Sequence, residues 1–572
     1  MFKIARAKIA MAVTLVLLAS AGVRAQVFER ISLDSGLNQA QGASSVTVSK
    51  DAVSDDGRYV VFSSLADNLV AGDLNGASDV FLRDLELEST VRISVHKDTG
   101  GDVIGSSENP TISADGRYVL FNSDAADLVA GDSNGVFDVF LFDTQTGLME
   151  RISVAADGGE PNGSSTRPSI SADGRYVAFS SSASNLVSGG ANTNVDIYVR
   201  DRSLAATVKV SERHDGSLTY NNSWAPFISA NGRHVAFVSG DNDLVPDDVT
   251  GPQDVFVRNL DTWGIERVSL STAGAESNAR NGVAVVSADA SIVAWWSRAD
   301  NLVAGDDNLQ DDIFVRNRAA GTTTRVNVSS TGAQAAGGGS WHTSITDDGR
   351  FVVFLSDASN LDDGDVNGTG DIFSHDLLTG VTRLHSLTPT GQGGNAYSRS
   401  PSVSADGVYI AFESGATDLV ADDDNLEQDV FLAWGPAMVL IDGFESADCS
   451  QWSAEVGACD PDGVYSSTPV VSYSCALGSV AIDVNQFTFT DHGAQISAGS
   501  SLPGILVGTP SYCSGGEFSN TLSVAGACTE TYTLDGSFTD ADTWTGTFSA
   551  TFAGTGCGDC TNQFFQVSGT RQ

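Results

Sequence analysis

The feature that most constrains the fold is a string, SADGRYVLF, which begins at Ser113 and recurs six more times in recognisable form. The copies are 58 or 59 residues apart, measured between the residues that precede the turn glycine or its equivalent. Self-similarity at a fixed period means that one structural unit is repeated and packs on its neighbours. The chain therefore contains seven equivalent units. Their reference residues are Asp56, Asp115, Asp173, Asn231, Asp289, Asp348 and Asp406.

Each unit reads as four short strands without a helix. In the second unit, residues 112–154, an Asp-Gly pair lies between alternating apolar residues, which is a strong signal for a β-hairpin. A long acidic loop then precedes a third strand, and a turn precedes a fourth. Four-stranded antiparallel units that repeat radially form a β-propeller. The sequence thus predicts an all-β protein built on a seven-bladed β-propeller.

The two ends of the array predict how the ring closes. The segment VFERISL at residues 27–33 matches the outermost strand of a unit, whereas the seventh unit ends after its third strand, at Trp434. Pairing the two removes an exposed sheet edge, which is a site of unwanted association. We therefore expect the N-terminal strand to complete the last blade, in a propeller of residues 26–435.

The core S-x-D-G-R-x-x-x-F, followed by D-[VI]-[FY]-[VL]-R-[DN] and R-[VI]-S, resembles the WD40-like propeller repeats of TolB-type periplasmic proteins. The resemblance covers residues 27–434 and implies the propeller fold and an exported protein. It does not carry over a TolB partner. The chain shows no counterpart of the N-terminal domain of TolB, and its second hairpin loop is longer than in ordinary TolB repeats.

The N-terminal residues 1–25 have the pattern of a cleavable signal peptide. Lys3, Arg6 and Lys8 precede an apolar run, and Val-Arg-Ala precedes Gln26. No other stretch is long and apolar enough to span a membrane. The net charge of −42 disfavours nucleic acid and anionic membranes as partners, because both would be repelled. We expect a soluble monomer that is secreted or periplasmic.

An acidic loop between the second and third strands carries the pattern D-x-N-x-x-x-D in five units. Its residues are Asp73, Asn75 and Asp79; Asp132, Asn134 and Asp138; Asp306, Asn308 and Asp312; Asp365, Asn367 and Asp371; Asp423, Asn425 and Asp429. Oxygen ligands at alternate positions suit Ca²⁺, and the pattern resembles the calcium loops of integrin-type propellers. The alternative, of equal weight, is that Asp and Asn only stabilise the turn. Gly190 and Thr250 break the pattern in units 3 and 4, which predicts weaker or absent sites there.

One ring of residues predicts a ligand surface at the axis. The residue five positions before the Ser or Thr that ends each inner strand varies freely; the seven are Ser49, Glu108, Thr166, Trp224, Gly282, Trp341 and Arg399. Glu108, Trp224, Trp341 and Arg399 could stack on and hydrogen-bond a sugar or a peptide. The alternative is that these residues only cover the mouth of the channel.

The sequence offers no convincing catalytic motif. A G-x-S-x-G match at residues 131–135 lies in an acidic loop and lacks the strand-turn-helix context of a nucleophile elbow. The seven histidines show no metal-binding spacing. No catalytic or cofactor-binding residue is therefore predicted, apart from the calcium ligands.

The chain changes character after the propeller. A DGFES motif at residues 442–446 falls in a predicted linker, 436–464. All seven cysteines follow it: Cys449, Cys459, Cys475, Cys513, Cys528, Cys557 and Cys560. In an exported protein these favour disulfides over zinc. Alternating Thr, Ser and aromatic residues predict a small, disulfide-bonded β-sandwich or barrel at 465–572.

These features favour an exported, non-enzymatic binding or scaffold protein. It would be calcium-stabilised and would mediate protein or glycan interactions at the cell envelope or outside the cell. A carbohydrate-active enzyme of the polysaccharide lyase or hydrolase type, using the axial face, is the alternative, and an envelope protein partner of the TolB kind is a third reading. Convergent ionisable groups at the rim would favour the enzyme, and unpaired aromatic residues would favour binding.

Overall fold

The computed structural model describes residues 27–46, 51–189, 194–246, 248 and 253–436, with side chains from residue 29, and the backbone of seven strands between residues 463 and 571. One compact unit spans Ala25–Pro436. The predicted signal peptide, the DGFES motif, Ser49, Gly190, Thr250 and all seven cysteines lie outside the described residues. Among the described residues, no helix is long and apolar enough to cross a membrane.

The unit Ala25–Pro436 contains seven four-stranded antiparallel sheets, which confirms the predicted seven-bladed propeller. Blade 1 comprises β2 (Ser44–Ser45), β3 (Tyr59–Ser64), β4 (Asp79–Asp84) and β5 (Ser89–Arg92). Blade 2 comprises β6 (Ser107–Ile112), β7 (Tyr118–Ser123), β8 (Asp138–Asp143) and β9 (Leu148–Arg151). Blade 3 comprises β10 (Ser165–Ile170), β11 (Tyr176–Ser181), β12 (Asp196–Asp201) and β13 (Ala206–Lys209). Blade 4 comprises β14 (Ser223–Ile228), β15 (His234–Ser239), β16 (Asp254–Asn259) and β17 (Ile265–Arg267).

The remaining blades follow the same order. Blade 5 comprises β18 (Asn281–Val286), β19 (Ile292–Ser297), β20 (Asp312–Asn317) and β21 (Thr322–Arg325). Blade 6 comprises β22 (Ser340–Ile345), β23 (Phe351–Ser356), β24 (Asp371–Asp376) and β25 (Thr382–Leu384). Blade 7 comprises β26 (Ser398–Val403), β27 (Tyr409–Ser414), β28 (Asp429–Trp434) and β1 (Val27–Arg30). The first strands of blades 2 to 7 contact one another from blade to blade, so they are the innermost strands.

The N-terminal strand closes the ring, as the sequence predicts. β1 pairs antiparallel with β28, and the sheet order of blade 7 is β1-β28-β27-β26. The backbone N–H of Ile31 extends the pairing by donating to the carbonyl of Val430 at 2.7 Å. The last blade therefore has the same four strands as the others, and the outer edge of β28 is covered.

The constant residues of the repeat build its tight turn. In blade 2, the Ser113 hydroxyl donates to the Asp115 carboxylate at 2.7 Å, and the same carboxylate oxygen accepts the N–H of Arg117 at 3.0 Å. Gly116 has a φ of 71°, in the left-handed region that favours glycine. A Cβ atom there would also lie 2.4 Å from the Tyr59 ring of the preceding blade. The turn and the packing between blades therefore require the same glycine.

Aromatic pairs fill the middle of every blade. In blade 2 the rings of Phe121 and Phe140, from the second and third strands, have centroids 5.9 Å apart, and both residues are fully buried. Such burial of large side chains is the main source of stability in a β-protein. The equivalent pairs are Phe62 with Phe81, Phe179 with Tyr198, Phe237 with Phe256, Trp295 with Phe314, Phe354 with Phe373, and Phe412 with Phe431.

The C-terminal strands form a separate sheet. They are β29 (Gly463–Tyr473), β30 (Ile482–Thr490), β31 (Gly493–Ala498), β32 (Glu517–Val524), β33 (Thr529–Phe538), β34 (Thr543–Ala553) and β35 (Gln563–Arg571). Their order is β31-β30-β29-β35-β34-β33-β32. Their side chains lie outside the description, so the predicted sandwich or barrel and its disulfides stay predictions.

Candidate functional site

The asparagine of each acidic loop stabilises the turn. In blade 2, the side-chain oxygen of Asn134 accepts the N–H of Val136 at 3.0 Å, and its amide group donates to the Asp138 carboxylate at 3.0 Å. Asn75, Asn308, Asn367 and Asn425 make the same two contacts. The asparagine oxygen is therefore engaged by the backbone, as the turn alternative predicts.

The aspartate that opens the third strand ties that strand to the fourth. The fully buried Asp138 accepts a hydrogen bond from Ser153 Oγ at 2.5 Å, and this hydroxyl accepts the N–H of Val139 at 3.0 Å. Burial raises the pKa of Asp138 to about 6, against the opposing effect of the hydrogen bonds from Ser153 and Asn134. This aspartate has a structural role whether or not the loop binds a metal.

A basic residue of the outermost strand reaches the acidic loop in six blades. In blade 1, Arg92 Nη1 lies 3.1 Å from Asp73, 3.4 Å from Asp79 and 2.7 Å from Asp102. A guanidinium thus stands between the two acids of the loop, where the sequence analysis places Ca²⁺. The equivalent residues are Arg30, Arg151, Lys209, Arg267 and Arg325.

These ion pairs supply a second explanation for the recurring acids. This arginine is the first residue of the R-[VI]-S motif. Its recurrence in most units was the sequence signal from which the ion pairs could have been predicted. Calcium binding by the five loops stays a prediction, with the guanidinium as a competitor for the same place. Within the described residues, no three His, Cys, Asp or Glu side chains converge as a metal site.

The second predicted site lies at the channel mouth, the end of the axial channel where the innermost strands begin. Each blade contributes two residues to the mouth: one on the first strand, and the residue that pairs with it on the second strand. These pairs are Ser45 with Ser63, Glu108 with Asn122, Thr166 with Ser180, Trp224 with Val238, Trp341 with Leu355, and Arg399 with Glu413. Gly282 and Trp296 hold the same positions in blade 5, next to the pair of Asn281 with Ser297.

A bulge explains why the mouth position varies. The pairing register shifts directly after Glu108, and the next residue, Asn109, has a φ of 55°. The same left-handed conformation occurs at Arg167, Ala225, His342 and Ser400. A bulge interrupts the ladder and redirects side chains. The regular strand pairing of the repeat therefore does not constrain the mouth residues.

In blade 1 the mouth position is held by Ser45, because Ser45 pairs with Ser63. The residue counted from the sequence, Ser49, lies outside the described residues. Ser45 precedes the turn residue Ser54 by nine positions, whereas Glu108 precedes Ser113 by five. The chain therefore has four more residues between these two positions in blade 1 than in blade 2, which a fixed count does not allow for.

Three tryptophans line the mouth on three adjacent blades, and all are half-buried. Trp224 and Trp341 come from the first strands of blades 4 and 6, and Trp296 comes from the second strand of blade 5. The Trp296 ring occupies the space above Gly282, where a Cβ atom would lie 1.7 Å from it. The sequence analysis missed Trp296 because it considered only first-strand residues.

Polar residues connect the tryptophans of blades 5 and 6. The Arg280 guanidinium lies over the Trp296 ring, 5.3 Å from its centroid, and pairs with Asp311 at 3.1 Å. Asp311 also accepts the indole N–H of Trp341 at 3.0 Å. Asp311 is only 4% exposed, and its Oδ1 has no hydrogen-bond partner among the described residues. Arg280 and Asp311 were also missed, since they lie just outside the mouth strands.

Arg399 extends this group into blade 7. Its Nε donates to Glu413 at 2.6 Å, and Ser400 Oγ donates to the same carboxylate oxygen at 2.9 Å. Burial raises the pKa of Glu413, against the charge of Arg399. We call Trp224, Trp296, Trp341 and these polar partners in blades 4–7 the aromatic half of the mouth. Glu108 lies on blade 2, outside it.

The opposite end of the channel is lined by a ring of apolar residues together with acids. Its lining includes the last inner-strand residues Ile112, Ile170, Ile228, Val286, Ile345 and Val403, all buried. Asp55 and Asp347 flank this ring at positions that hold alanine in other blades. Burial, and then the charge of Asp347, raises the pKa of Asp55 to about 7.

No protein-family model matches the sequence, and a search of curated proteins finds no similar sequence. Solved structures do match the fold. A putative TolB from Agrobacterium tumefaciens aligns at 15% identity over 61% of this chain and 94% of its own, with a TM-score of 0.32. The β-propeller domain of the Trilobed protease from Pyrococcus furiosus aligns at 10% identity over 68% and 95%, with a TM-score of 0.40. An acylaminoacyl peptidase from Pyrococcus horikoshii aligns at 9% identity over 66% of this chain and 50% of its own, with a TM-score of 0.39. The chain thus has a seven-bladed propeller similar to those of TolB and of peptidases.

Proposed function

We propose that this chain is an exported, non-enzymatic binding protein whose aromatic half holds a carbohydrate segment. The observation that carries the proposal is the placement of Trp224, Trp296 and Trp341 on three consecutive blades, at the end of the propeller where the innermost strands begin. Indole rings present flat apolar faces on which the apolar faces of sugar rings pack. Arg280 and Arg399 are 52% and 46% exposed, so they can donate to hydroxyl or carboxylate groups of a sugar.

The state of the acids at the mouth favours binding over cleavage. Glycoside hydrolysis generally uses two carboxyl groups on opposite sides of the scissile bond. Asp311 is engaged by Arg280 and Trp341, and Glu413 by Arg399 and Ser400. One observation supports the alternative of a carbohydrate-active enzyme: the raised pKa of Glu413 is a property of a general acid.

A binding panel with the mature chain tests the proposal. The probes are neutral and uronic-acid oligosaccharides of four to eight sugars, with unstructured peptides as comparators, measured by isothermal titration calorimetry. We expect saturable binding of at least one oligosaccharide class with a dissociation constant below about 1 mM. Binding of peptides alone would overturn the carbohydrate assignment. New reducing ends or unsaturated products after incubation would establish the enzyme instead.

Export and the C-terminal domain are part of the same proposal. We infer cleavage after Ala25, which gives a secreted or periplasmic protein that begins at Gln26 and acts at the envelope or outside the cell. We also infer a disulfide-bonded sandwich or barrel at 465–572. Intact-mass spectrometry of the exported protein, with and without reduction, measures both. A retained N-terminus or seven free thiols would contradict these two inferences.

A further inference from the structure

Blade 6 departs from the other six blades at its acidic loop. In blade 1, Arg92 pairs opposite the third-strand residue Phe81 and reaches the loop. In blade 6 the equivalent residue, opposite Phe373, is Leu384, which is 2% exposed. In the described part of blade 6, no basic side chain pairs with Asp365 or Asp371.

A second position in blade 6 changes together with the arginine. In blade 4, Glu276 holds the guanidinium of Arg267 from the far side, at 2.7 Å. Glu276 bridges to Leu270, and the matching bridge in blade 6 joins Leu387 to Gly393. The basic residue and its outer partner are therefore both absent from the described residues around this loop.

The loop that lacks the cation keeps both of its acids. Asp365 and Asp371 are buried, as the equivalent acids Asp73 and Asp79 are in blade 1, where an arginine pairs with them. Loss of a basic residue alone would favour neutral replacements, because uncompensated buried charge is strongly unfavourable. The two retained carboxylates instead point to a cation from solution.

The first acid of the loop is buried, and no cation among the described residues pairs with it. Asp365 is 7% exposed, and neither of its carboxylate oxygens forms a hydrogen bond of normal geometry. The backbone N–H groups of Asn367 and Gly368 lie near this carboxylate. Asp371 is fully buried and accepts hydrogen bonds from Ser386 at 2.5 Å and Asn367 at 2.7 Å. Asp365 thus faces the place that a guanidinium takes in the sister blades.

We propose that the blade 6 loop binds one calcium ion between Asp365 and Asp371, in the place of the missing guanidinium. Ca²⁺ takes about six to eight oxygen ligands in flexible geometry, and carboxylates, backbone carbonyls and water all serve. Asn367 is not a ligand, because its side-chain oxygen accepts the N–H of Thr369 at 2.7 Å. The inference is independent of the carbohydrate proposal and narrows the predicted calcium sites from five loops to one.

A substitution that restores the arginine gives the sharpest test. The mature chain is freed of metal with a chelator and titrated with CaCl₂ by calorimetry, and its melting temperature is measured with and without 5 mM calcium. Leu384→Arg should bind one calcium ion fewer than the wild type. It should also lose most of a calcium-dependent rise in melting temperature of about 2 °C or more, expected for a dissociation constant of about 10⁻⁴–10⁻³ M.

Three further variants keep the test decisive if Leu384→Arg folds poorly. Asp365→Asn preserves the shape of the side chain and should also remove one equivalent of calcium. The reciprocal change in blade 2, Arg151→Leu, removes the resident cation from Asp132 and Asp138 and should bind at least as many calcium ions as the wild type. Asp132→Asn in blade 2 is the matched control for Asp365→Asn and should not change the calcium stoichiometry.

Three results would overturn the proposal. One is a wild-type chain that binds no calcium at 5 mM. Another is equal calcium stoichiometry in the wild type and in folded Asp365→Asn. A loss of one equivalent in Asp132→Asn, but not in Asp365→Asn, would place the ion in an arginine-filled loop and would also contradict it.

Discussion

The channel mouth has two halves that share one backbone and differ in side chains. Blades 1–3 present small or polar residues: Ser45, Ser63, Glu108, Asn122, Thr166 and Ser180. Blades 4–7 present Trp224, Val238, Gly282, Trp296, Trp341, Leu355, Arg399 and Glu413. Every blade in both halves has an aromatic pair at the same place in its sheet. The repeat therefore builds the same backbone in all seven blades. The side chains at the mouth differ between the two halves, and a ligand can recognise this difference.

The largest expected effect comes from removing two of the tryptophans. Trp296→Ala with Trp341→Ala should weaken binding of the best oligosaccharide by at least about 30-fold, because central tryptophans contribute about 2 kcal/mol or more to interfaces. Calorimetry measures the loss. Trp263→Ala is the control, since Trp263 is 37% exposed in the turn after β16, away from the mouth. An equal loss in Glu108→Ala, from the polar half, would remove the distinction between the halves.

A smaller effect is expected from filling the space above Gly282. Gly282→Ala places a methyl group 1.7 Å from the present position of the Trp296 ring, so the ring must move. We expect about a tenfold loss of affinity, less than for removal of both rings. Gly415→Ala in blade 7 is the matched control, because no atom lies within 4 Å of the added group. Unchanged affinity in Gly282→Ala would mean that the position of Trp296 is irrelevant to binding.

Asp311 should affect stability and, to a lesser extent, binding. Asp311→Ala leaves the indole N–H of Trp341 without its acceptor, which destabilises the fold by about 1–3 kcal/mol. The ion pair with Arg280 adds little, because Arg280 is 52% exposed. Asp311→Asn retains an acceptor and should recover most of the stability. Urea unfolding of both variants measures the difference, and equal destabilisation would argue for charge instead of the indole contact.

The smallest effect is expected at the opposite end of the channel. Asp55→Ala with Asp347→Ala installs the residue found in most other blades and should leave binding unchanged. Burial raises the pKa of both acids in the folded chain, to about 7 for Asp55. The favourable contribution of Asp55 is therefore present below about pH 4 and is lost as the pH rises through about 7, and that of Asp347 is lost as the pH rises above the ordinary range of a carboxyl group. The melting temperature of the variant should be about 1–2 °C above that of the wild type at pH 8, and the difference should be smaller at pH 4.5. A difference in melting temperature that does not depend on pH would contradict this titration.

The sequence predicts most of the propeller because its information is periodic. The repeat specifies the turn around Gly116 and the pairing of Phe121 with Phe140, and the unmatched segment at 27–33 specifies the closure. The partner of the acidic loop was not predicted. Asp73 and Arg92 are 19 positions apart and meet only when the third and fourth strands pair.

The mouth was predicted in part for a related reason. Counting along the first strands identified Trp224, Trp341 and Arg399, but in blade 5 it gave only Gly282, which has no side chain to contact a ligand. The aromatic residue of that blade arrives from the second strand, as Trp296, and fills the space above the glycine. A count along one strand does not detect a side chain supplied by its neighbour.

The most direct test of the carbohydrate site is oxidative footprinting of the tryptophans by mass spectrometry, with and without the bound oligosaccharide. The account predicts slower oxidation of Trp224, Trp296 and Trp341 in the complex and an unchanged rate for Trp263. Saturated binding without protection of the three mouth tryptophans would contradict it.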